Sequence, residues 1–468
     1  MFWLALHFPA LSLEIFSRGG DAHEPLAVIE KQGNRSRVKA CNEAAIVCGV
    51  RPGMLASATH ALVANLIVRS SDIAAEQESL AGLAAWAGQF TPAISLQSPD
   101  GLLMEIGSCL RLHRGFNNLI RQISSGLNEM GYTFIHACAP TPHAAWLMAL
   151  AGKEVAVRES AQLEKALAAL SVRLLDQSQD ILASLEMVGA YTLGDCLRFP
   201  RAGMARRFGQ GLLDELDRAL GRLPEARDFF VPPPGFERRL ELPSQVHEAE
   251  ALLFASRRLL LELEGYLRLL QAGVQEFELV CCHEDVPDTV LKVGFSEPVH
   301  ALEHMLLLLR ETLGCTRLPA PVHTIMLHAS HLQARELSSL DMFQDSADKV
   351  DGKLLLERLR IRLGKEAVFS IAPAADHRPE LAWRQCETGE ETRSPNKLQR
   401  PLWLLPKPMP CLKDRLELRS GPERIESGWW DGKDVERDYY IAQGRNGSRL
   451  WVYRDRCSGD WFVHGLFA

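Results

Sequence analysis

The sequence predicts an α+β protein built from several domains, and three observations support this prediction. With 468 residues the chain is too long for one hydrophobic core, and 47% of its residues are hydrophobic, a normal value for folded proteins. Strand-like and helical patterns alternate in residues 1–174 and return in residues 236–334. Between these parts, residues 229–235 read FFVPPPG, and three consecutive prolines favour an extended linker over a helix.

Residues 1–174 are predicted to form a first α+β domain. Residues 3–14 read WLALHFPALSLE, an apolar strand followed by a short helix, and residues 98–106 read SPDGLLMEI, a turn followed by a strand. Residues 26–30 and 36–41 are predicted to pair as strands. Helical spacing of apolar residues predicts three helices, at 42–48, 77–89 and 110–130.

Residues 175–228 contain short helical segments punctuated by glycine, a pattern typical of a helical thumb that contacts DNA. Helix N-termini and glycine amides bind phosphate without reading base sequence. The candidate DNA-binding residues are Arg201, Arg206, Arg207 and Gly209. An ordinary helical connector with a solvated basic face would show the same pattern, so both interpretations stay open.

The order strand, helix, strand, strand, helix, strand in residues 236–334 predicts a split β-α-β-β-α-β domain. Residues 335–400 form a polar, interrupted segment. Residues 401–468 concentrate tryptophans, which we expect in the core of a small β-rich domain, with base stacking or partner binding as alternatives. These tryptophans are Trp403, Trp429, Trp430, Trp451 and Trp461.

Charge and motif content limit the classes of function. A net charge of -7 argues against a protein whose whole surface grips DNA, although a local basic stripe is compatible with it. Eleven cysteines without C-x-x-C spacing predict reduced thiols, and no apolar run reaches the ~18 residues of a spanning helix, so we expect a soluble, cytoplasmic protein without membrane contact. We found no metal-ligand spacing and no Walker A motif, and therefore expect no metal and no cofactor.

Several motifs in the first 335 residues resemble those of the Y-family (translesion) DNA polymerases. Residues 41–54, CNEAAIVCGVRPGM, are similar to the family's A-N-Y-x-A-R-x-x-G-h-x-x-G-M, and residues 138–149, CAPTPHAAWLMA, to its G-h-A-x-N-K-x-h-A-x-h-A. Residues 192–221 resemble the family's thumb segment. The resemblance implies a right-hand-like architecture, with palm and fingers in residues 1–174, a thumb in residues 175–228 and a little-finger-like domain in residues 236–334.

The residues that carry polymerase chemistry in that family are replaced here. Family members hold two magnesium ions with acids in hDhDxFFAxVE and SxDEhhhD, whereas this chain offers Ala5 and His7 in the first segment and only Asp100, beside Gly101, in the second. One carboxylate cannot bridge two such ions. The resemblance therefore implies no catalytic residues and no enzymatic activity, with an active low-fidelity polymerase using a rearranged metal site as the alternative.

The positions that contact the nucleotide in that family are changed as well. Glu43 stands where a tyrosine is expected, Ile46 where an arginine is expected, and His143 where a lysine is usual. An arginine is the natural partner of triphosphate oxygens, and Glu43 would repel them. The resemblance thus implies that the nucleotide contacts at Glu43 and Ile46 are lost together with the metal site.

A candidate clamp-binding peptide follows the split domain: Ser339, Leu340, Asp341, Met342 and Phe343. Bacterial clamp-binding peptides resemble Q-L-[SD]-L-F and insert apolar anchors into a pocket of the sliding clamp. Leu340, Met342 and Phe343 supply the anchors, whereas Ser339 replaces the usual glutamine. The alternative is a loop packed on its own domain.

The C-terminal segments ERIESGWWDGKDVERDYYIA, RLWVYRDR and WFVHGLFA resemble the end of a polymerase-like protein from bacterial damage-inducible mutagenesis cassettes. This resemblance implies a non-catalytic adaptor for translesion synthesis in the SOS response, acting at damage sites in the nucleoid. The implied partners are DNA, the sliding clamp, a RecA-like protein and an error-prone C-family polymerase. A DNA-binding subunit that does not need the clamp is a third hypothesis.

Overall fold

The computed structural model describes residues 1–19, 24–33, 35–63, 65–334, 346–364, 366–386, 400–445 and 447–467. The chain divides into two compact units, Met1–Val350 and Asp351–Ala468. The finer domain boundaries given above remain predictions.

The first part of the chain alternates strands and helices, as predicted. Its strands are β1 (Trp3–His7), β2 (Leu26–Gln32), β3 (Arg35–Cys41), β4 (Ile67–Ser70), β5 (Ile94–Gln97), β6 (Gly101–Glu105) and β7 (Ile135–Ala139). Its helices are α1 (Leu11–Ser17), α2 (Glu43–Val47), α3 (Ala56–Leu62), α4 (Ile73–Ala87), α5 (Phe116–Met130), α6 (Pro142–Leu150) and α7 (Ser160–Ala168). An antiparallel sheet in the order β5, β6, β1, β7 forms the palm-like core, and β3, β2, β4 form a separate small sheet.

Four short helices follow in the predicted thumb: α8 (Gln179–Met187), α9 (Leu193–Arg198), α10 (Arg201–Phe208) and α11 (Gln210–Ala219). Thr192 and Asp195 form a reciprocal capping box that begins α9. The buried leucines of these helices share one hydrophobic cluster with α6, α7 and the β1 residues Trp3 and Ala5. The thumb is therefore packed on the palm through a common core.

Residues 236–329 adopt the predicted β-α-β-β-α-β order. The elements are β8 (Phe236–Val246), α12 (Leu252–Leu270), β9 (Ala272–Cys282), β10 (Thr289–Val299), α13 (Leu302–Gly314) and β11 (Val322–Ala329), and β12 (Leu332–Ala334) follows them. The sheet order is β10, β9, β11, β8, with β12 pairing beside β9. Alternation of buried and exposed residues along β8 and β10 gives the sheet one apolar face, and α12 packs against β8, β9 and β11.

The long helix α12 also packs against α4 and α5 of the palm. Glycines make this approach close: a Cβ on Gly265 would lie 2.4 Å from Cδ1 of Trp86, and a Cβ on Gly126 would lie 2.3 Å from its Cζ2. Trp86 is only 3% exposed. Its indole is thus enclosed between two helices that carry no side chain at the contact point.

A buried ion cluster joins the same two domains. Glu262 of α12 accepts a hydrogen bond from Nη1 of Arg18 at 2.5 Å, and its other oxygen lies 3.4 Å from Nε of Arg238 on β8. The three side chains are 3%, 3% and 10% exposed. Burial lowers the pKa of Arg18, but Glu262 outweighs this effect and raises it above its ordinary value, so Arg18 stays charged.

In the described residues from 346 onward, the structure forms the helix α14 (Ser346–Leu363) and seven strands. These are β13 (Ser370–Pro373), β14 (Trp383–Cys386), β15 (Trp403–Cys411), β16 (Leu416–Ser427), β17 (Val435–Gly444), β18 (Arg449–Asp455) and β19 (Trp461–Leu466). The last five form an antiparallel sheet in the order β15, β19, β18, β17, β16, which confirms the β-rich C-terminal domain.

The expectation that the C-terminal tryptophans are core residues is correct for Trp451, which is 2% exposed, and wrong for three others. Trp403, Trp429 and Trp430 are 69%, 78% and 58% exposed. Trp403 begins β15, and the other two lie in the connection between β16 and β17, outside the packed face of the sheet. A tryptophan count alone does not distinguish these two environments.

Replacing Glu262 is expected to lower the stability of the first unit. Glu262→Gln removes the nearest counter-charge of the buried Arg18 and Arg238, and we expect the free energy of unfolding, measured by urea denaturation, to fall by about 3–5 kcal/mol. The control is Glu278→Gln, which breaks the exposed pair with Lys292 and should change stability very little. Equal effects of the two substitutions would contradict the prediction.

Candidate functional site

The positions that correspond to the metal-binding acids of Y-family polymerases meet where β1 and β6 pair. His7 lies opposite Gly101 in the register, and the backbone N–H of Phe8 donates to the carbonyl of Asp100 at 2.8 Å. Nε2 of His7 lies 3.4 Å from Oδ2 of Asp100. The structure therefore brings His7, Asp100 and Gly101 together, and the carboxylate faces a histidine instead of a second acid.

Trp146 of α6 fills the space beside Gly101. A Cβ at Gly101 would lie 2.2 Å from Cζ3 and 2.4 Å from Cη2 of this indole. The ring is 7% exposed and meets the imidazole of His7 edge-on, with 5.5 Å between ring centroids. Ala5 lies farther along β1, fully buried in the apolar cluster that also contains Trp146. Any side chain at position 101 therefore requires Trp146 to move.

Two further carboxylates of the palm hold the backbone in place. Glu105 ends β6, where its Oε1 accepts from the N–H groups of Phe2 and Gly107, each at 3.1 Å. Partial burial raises the pKa of Glu105, but these hydrogen bonds bring it below its ordinary value. Glu14 of α1 accepts from the N–H of Thr133 at 2.7 Å, and burial raises the pKa of Glu14.

The nucleotide-contact positions lie on α2. Glu43 and Ile46 are both exposed there. Asn42 caps the helix by accepting from Ala45 N–H at 3.0 Å and accepts from Leu26 N–H at 3.0 Å, which ties α2 to β2. The local helix is thus retained, whereas the side chains it presents are an acid and an aliphatic group.

Arg51 is a nearby cation that sequence reasoning missed. Its Nη1 donates to the carbonyl oxygens of Ile46 and Val50 at 2.6 and 3.0 Å. The guanidinium thereby satisfies carbonyls at the end of α2. Its position just after a glycine-terminated helix is the only sequence signal that points to this contact.

His143 connects the palm to the thumb. Its Nε2 lies 3.3 Å from Oε1 of Glu215 on α11. Glu215 also accepts from Asp176 N–H at 2.8 Å and from Nε2 of Gln177 at 2.7 Å. Burial raises the pKa of Glu215, but these hydrogen bonds bring it below its ordinary value of 4.5. The carboxylate is therefore ionised at neutral pH and holds His143 at the thumb.

The thumb arginines fall into two groups. Arg201 pairs with Asp217 of α11, with Nη1 2.9 Å from Oδ1, so its charge is compensated. Arg206 and Arg207 are exposed in the last turn of α10 and form no ion pair with any residue that the structure describes. Gly209 joins α10 to α11 with a φ of 93° and open space around it. Two uncompensated cations therefore lie beside a glycine turn.

The candidate clamp-binding residues Ser339, Leu340, Asp341, Met342 and Phe343 lie outside the described residues. This peptide stays a prediction from sequence. Within the described ranges, no group of three or more His, Cys, Asp or Glu side chains is arranged to hold a metal ion. No helix in the same ranges is long and apolar enough to cross a bilayer.

Comparisons with known proteins support the resemblance that the sequence motifs indicate. Residues 18–149 match the model of the impB/mucB/samB family, IMS. Protein ImuB of Caulobacter vibrioides, in strain NA1000 / CB15N and likewise in strain ATCC 19089 / CIP 103742 / CB 15, is 27% identical over 457 residues, which cover 90% of this chain and 100% of the relative. The family model and this relative confirm the resemblance to Y-family polymerase-like proteins.

Solved structures similar to this chain include an insertion ternary complex of Dbh DNA polymerase, 17% identical with a TM-score of 0.41. DinB from Sulfolobus solfataricus is 16% identical with a TM-score of 0.40. Each comparison covers 72% of this chain and 100% of the other.

Adding a single methyl group at position 101 is expected to destabilise the palm. Gly101→Ala brings Cβ against Trp146, and we expect an overpacking cost of about 1–3 kcal/mol in the free energy of unfolding. In a Trp146→Ala background the same change should cost much less, so a double-mutant cycle measured by urea denaturation should give a clear coupling energy.

The matched control is Gly203→Ala in α10, where the added Cβ meets open space. This substitution should leave stability unchanged or raise it slightly, since alanine is the better helix former. If Gly101→Ala has the same cost with and without Trp146, the indole does not fill the site.

Proposed function

We propose that this protein is a non-catalytic adaptor in damage-induced translesion synthesis and mutagenesis, as its similarity to ImuB suggests. It would bind DNA and link the sliding clamp, a RecA-like partner of the ImuA type and an error-prone C-family DNA polymerase. Its place of action would be damaged DNA in the bacterial cytoplasm during the SOS response. The observation that carries the proposal is Trp146 in the space beside Gly101, next to a carboxylate, Asp100, that faces His7.

The absence of catalysis is supported by what the replaced residues do. Asp100 is drawn to His7 at 3.4 Å, and the indole of Trp146 leaves no room for an acid at position 101. Nε2 of His143 lies 3.3 Å from the carboxylate of Glu215, so this side chain contacts the thumb and does not serve as a triphosphate ligand. Two-metal phosphoryl transfer requires acidic side chains that hold the two metal ions, and basic side chains that bind the triphosphate. In this protein the contacts described above occupy the positions of both kinds of side chain.

DNA binding is supported by the uncompensated thumb cations Arg206 and Arg207 beside Gly209. Exposed arginines at a helix junction bind phosphate without reading sequence, whereas the N–H of Gly209 already donates to the carbonyl of Ala205 at 3.1 Å. Arg201 contributes less to this surface, because Asp217 neutralises it. We therefore expect weak and sequence-tolerant binding.

The second candidate function is an active low-fidelity polymerase with a rearranged metal site, which the survival of a partly exposed Asp100 favours. It would need a further acid brought beside Asp100. A DNA-binding subunit independent of the clamp is the third candidate, and it differs from the first in the requirement for residues 339–343.

Primer extension and clamp capture, run on one preparation, test the adaptor proposal. We expect no template-dependent extension with Mg²⁺ or Mn²⁺, and capture by immobilised sliding clamp that is lost when Leu340, Met342 and Phe343 are all changed to alanine. The control is Leu402→Ala, which removes an apolar side chain that is 92% exposed. Extension abolished by Asp100→Ala would establish the polymerase alternative, and clamp capture that survives the triple change would refute the peptide.

The thumb contact is tested by the salt dependence of DNA affinity. Arg206→Ala combined with Arg207→Ala should weaken duplex binding and reduce the slope of log affinity against log salt by about 2, since each phosphate contact contributes roughly 0.9. Fluorescence anisotropy provides the measurement. Arg173→Ala is the control, because this arginine is 73% exposed but paired with Glu186. An unchanged slope in the double variant would remove the main support for DNA binding by the thumb.

A further inference from the structure

Three arginines surround a concavity at the end of the palm sheet that is remote from His7 and Asp100. Arg114, Arg121 and Arg158 line it together with Phe116, Asn117 and other residues of the α5 N-terminal turn, and its volume is about 350 Å³. All three arginines are exposed.

The concavity lies at the opposite end of β1 from the degenerate site. The guanidinium of Arg158 lies 5.9 Å from the ring centroid of Phe2, the residue immediately before β1, whereas His7 ends that strand. At about 3.3 Å per residue, the five steps from Phe2 to His7 separate the two ends by roughly 16 Å. A ligand here would not occupy the former catalytic position.

The charges at this place are not compensated within the protein. Arg114, Arg121 and Arg158 form no ion pair with any residue in the described part of the chain, although the whole chain carries a net charge of -7. No carboxylate is among the described residues that line the concavity. The adjacent Glu159 accepts instead from Nε2 of Gln162 at 3.0 Å. Three like charges at one concavity repel one another until an anion binds.

Arg158 is also held in position by aromatic rings. Its guanidinium lies 5.9 and 5.3 Å from the ring centroids of Phe2 and Phe116. Stacking of a guanidinium on aromatic rings leaves its N–H groups available to an anion. The arginine is therefore oriented before any ligand arrives.

We propose that this concavity binds phosphate groups of a nucleic-acid strand, as a second contact distinct from the thumb. Guanidinium groups bind phosphate oxygens in bidentate pairs. One N–H of the Asn118 side chain is already used, donating to the carbonyl of His113 at 2.9 Å, and contacts between guanidinium and phosphate groups carry no base information. Binding is accordingly sequence-tolerant. The inference rests on the DNA-binding part of the proposed function and adds a second phosphate contact on the palm.

Fluorescence anisotropy with a labelled oligothymidylate tests the proposal on the full-length protein. Arg114→Gln, Arg121→Gln and Arg158→Gln combined should weaken binding at low salt by about tenfold or more and reduce the salt slope by about 2, at roughly 0.7 per phosphate of a single strand. The matched control combines Arg257→Gln, Arg268→Gln and Lys292→Gln, which make the same charge change at ion-paired positions. Thermal denaturation of both triple variants identifies any loss of folding.

The thumb variant with Arg206→Ala and Arg207→Ala distinguishes a failure of this proposal from a failure of the proposed DNA binding. If it loses binding while the Arg114, Arg121 and Arg158 variant binds like the control, the second contact is refuted and the thumb contact stands. If neither variant changes binding, DNA binding through both surfaces is refuted. Calorimetric titration with inorganic pyrophosphate tests for a small-anion site. If the triple variant loses pyrophosphate binding but keeps oligothymidylate binding, the concavity binds small phosphate anions, and the nucleic-acid assignment is refuted.

Discussion

The contact of Glu262 with Arg18 and Arg238 is the constraint on which the arrangement of the first unit depends. A buried carboxylate is tolerated only with its counter-charges, so α12, the end of α1 and β8 must stay together. The glycine contacts around Trp86 act in the same direction, because they allow α12 to approach the palm helices closely. The β-α-β-β-α-β domain is consequently fixed to the palm by both charge and shape.

Several side chains at or beside the positions that match the polymerase motifs serve the fold, whereas Glu43 and Ile46 stay exposed on α2. Trp146 packs in the apolar cluster beside Gly101, His143 joins the palm to the thumb through Glu215, and Arg51 satisfies carbonyls at the end of α2. A site that no longer needs open space for a substrate can be filled, and close packing lowers the free energy of the folded state. This pattern supports an organising function over a catalytic one.

Sequence reasoning predicted the elements whose periodicity is local, including the β2–β3 pair and the order of elements from β8 to β11. It began α5 too early, at residue 110 instead of Phe116, because Arg114 and Gly115 adopt φ angles of 56° and 107° that no helix accommodates. It could not predict contacts between distant residues. Arg18 and Glu262 are 244 positions apart, and no pattern in the chain marks Trp146 as the neighbour of Gly101.

The indole beside Gly101 also bears on evolutionary reversal. An acidic side chain introduced at position 101 would collide with the indole of Trp146. This single substitution is therefore expected to lower stability without supplying a metal ligand. An acid at position 101 would first require a smaller residue in place of Trp146, and that substitution opens a void in the core. The effect of a substitution at position 101 therefore depends on the residue at position 146, which is epistasis between two positions that are far apart in sequence.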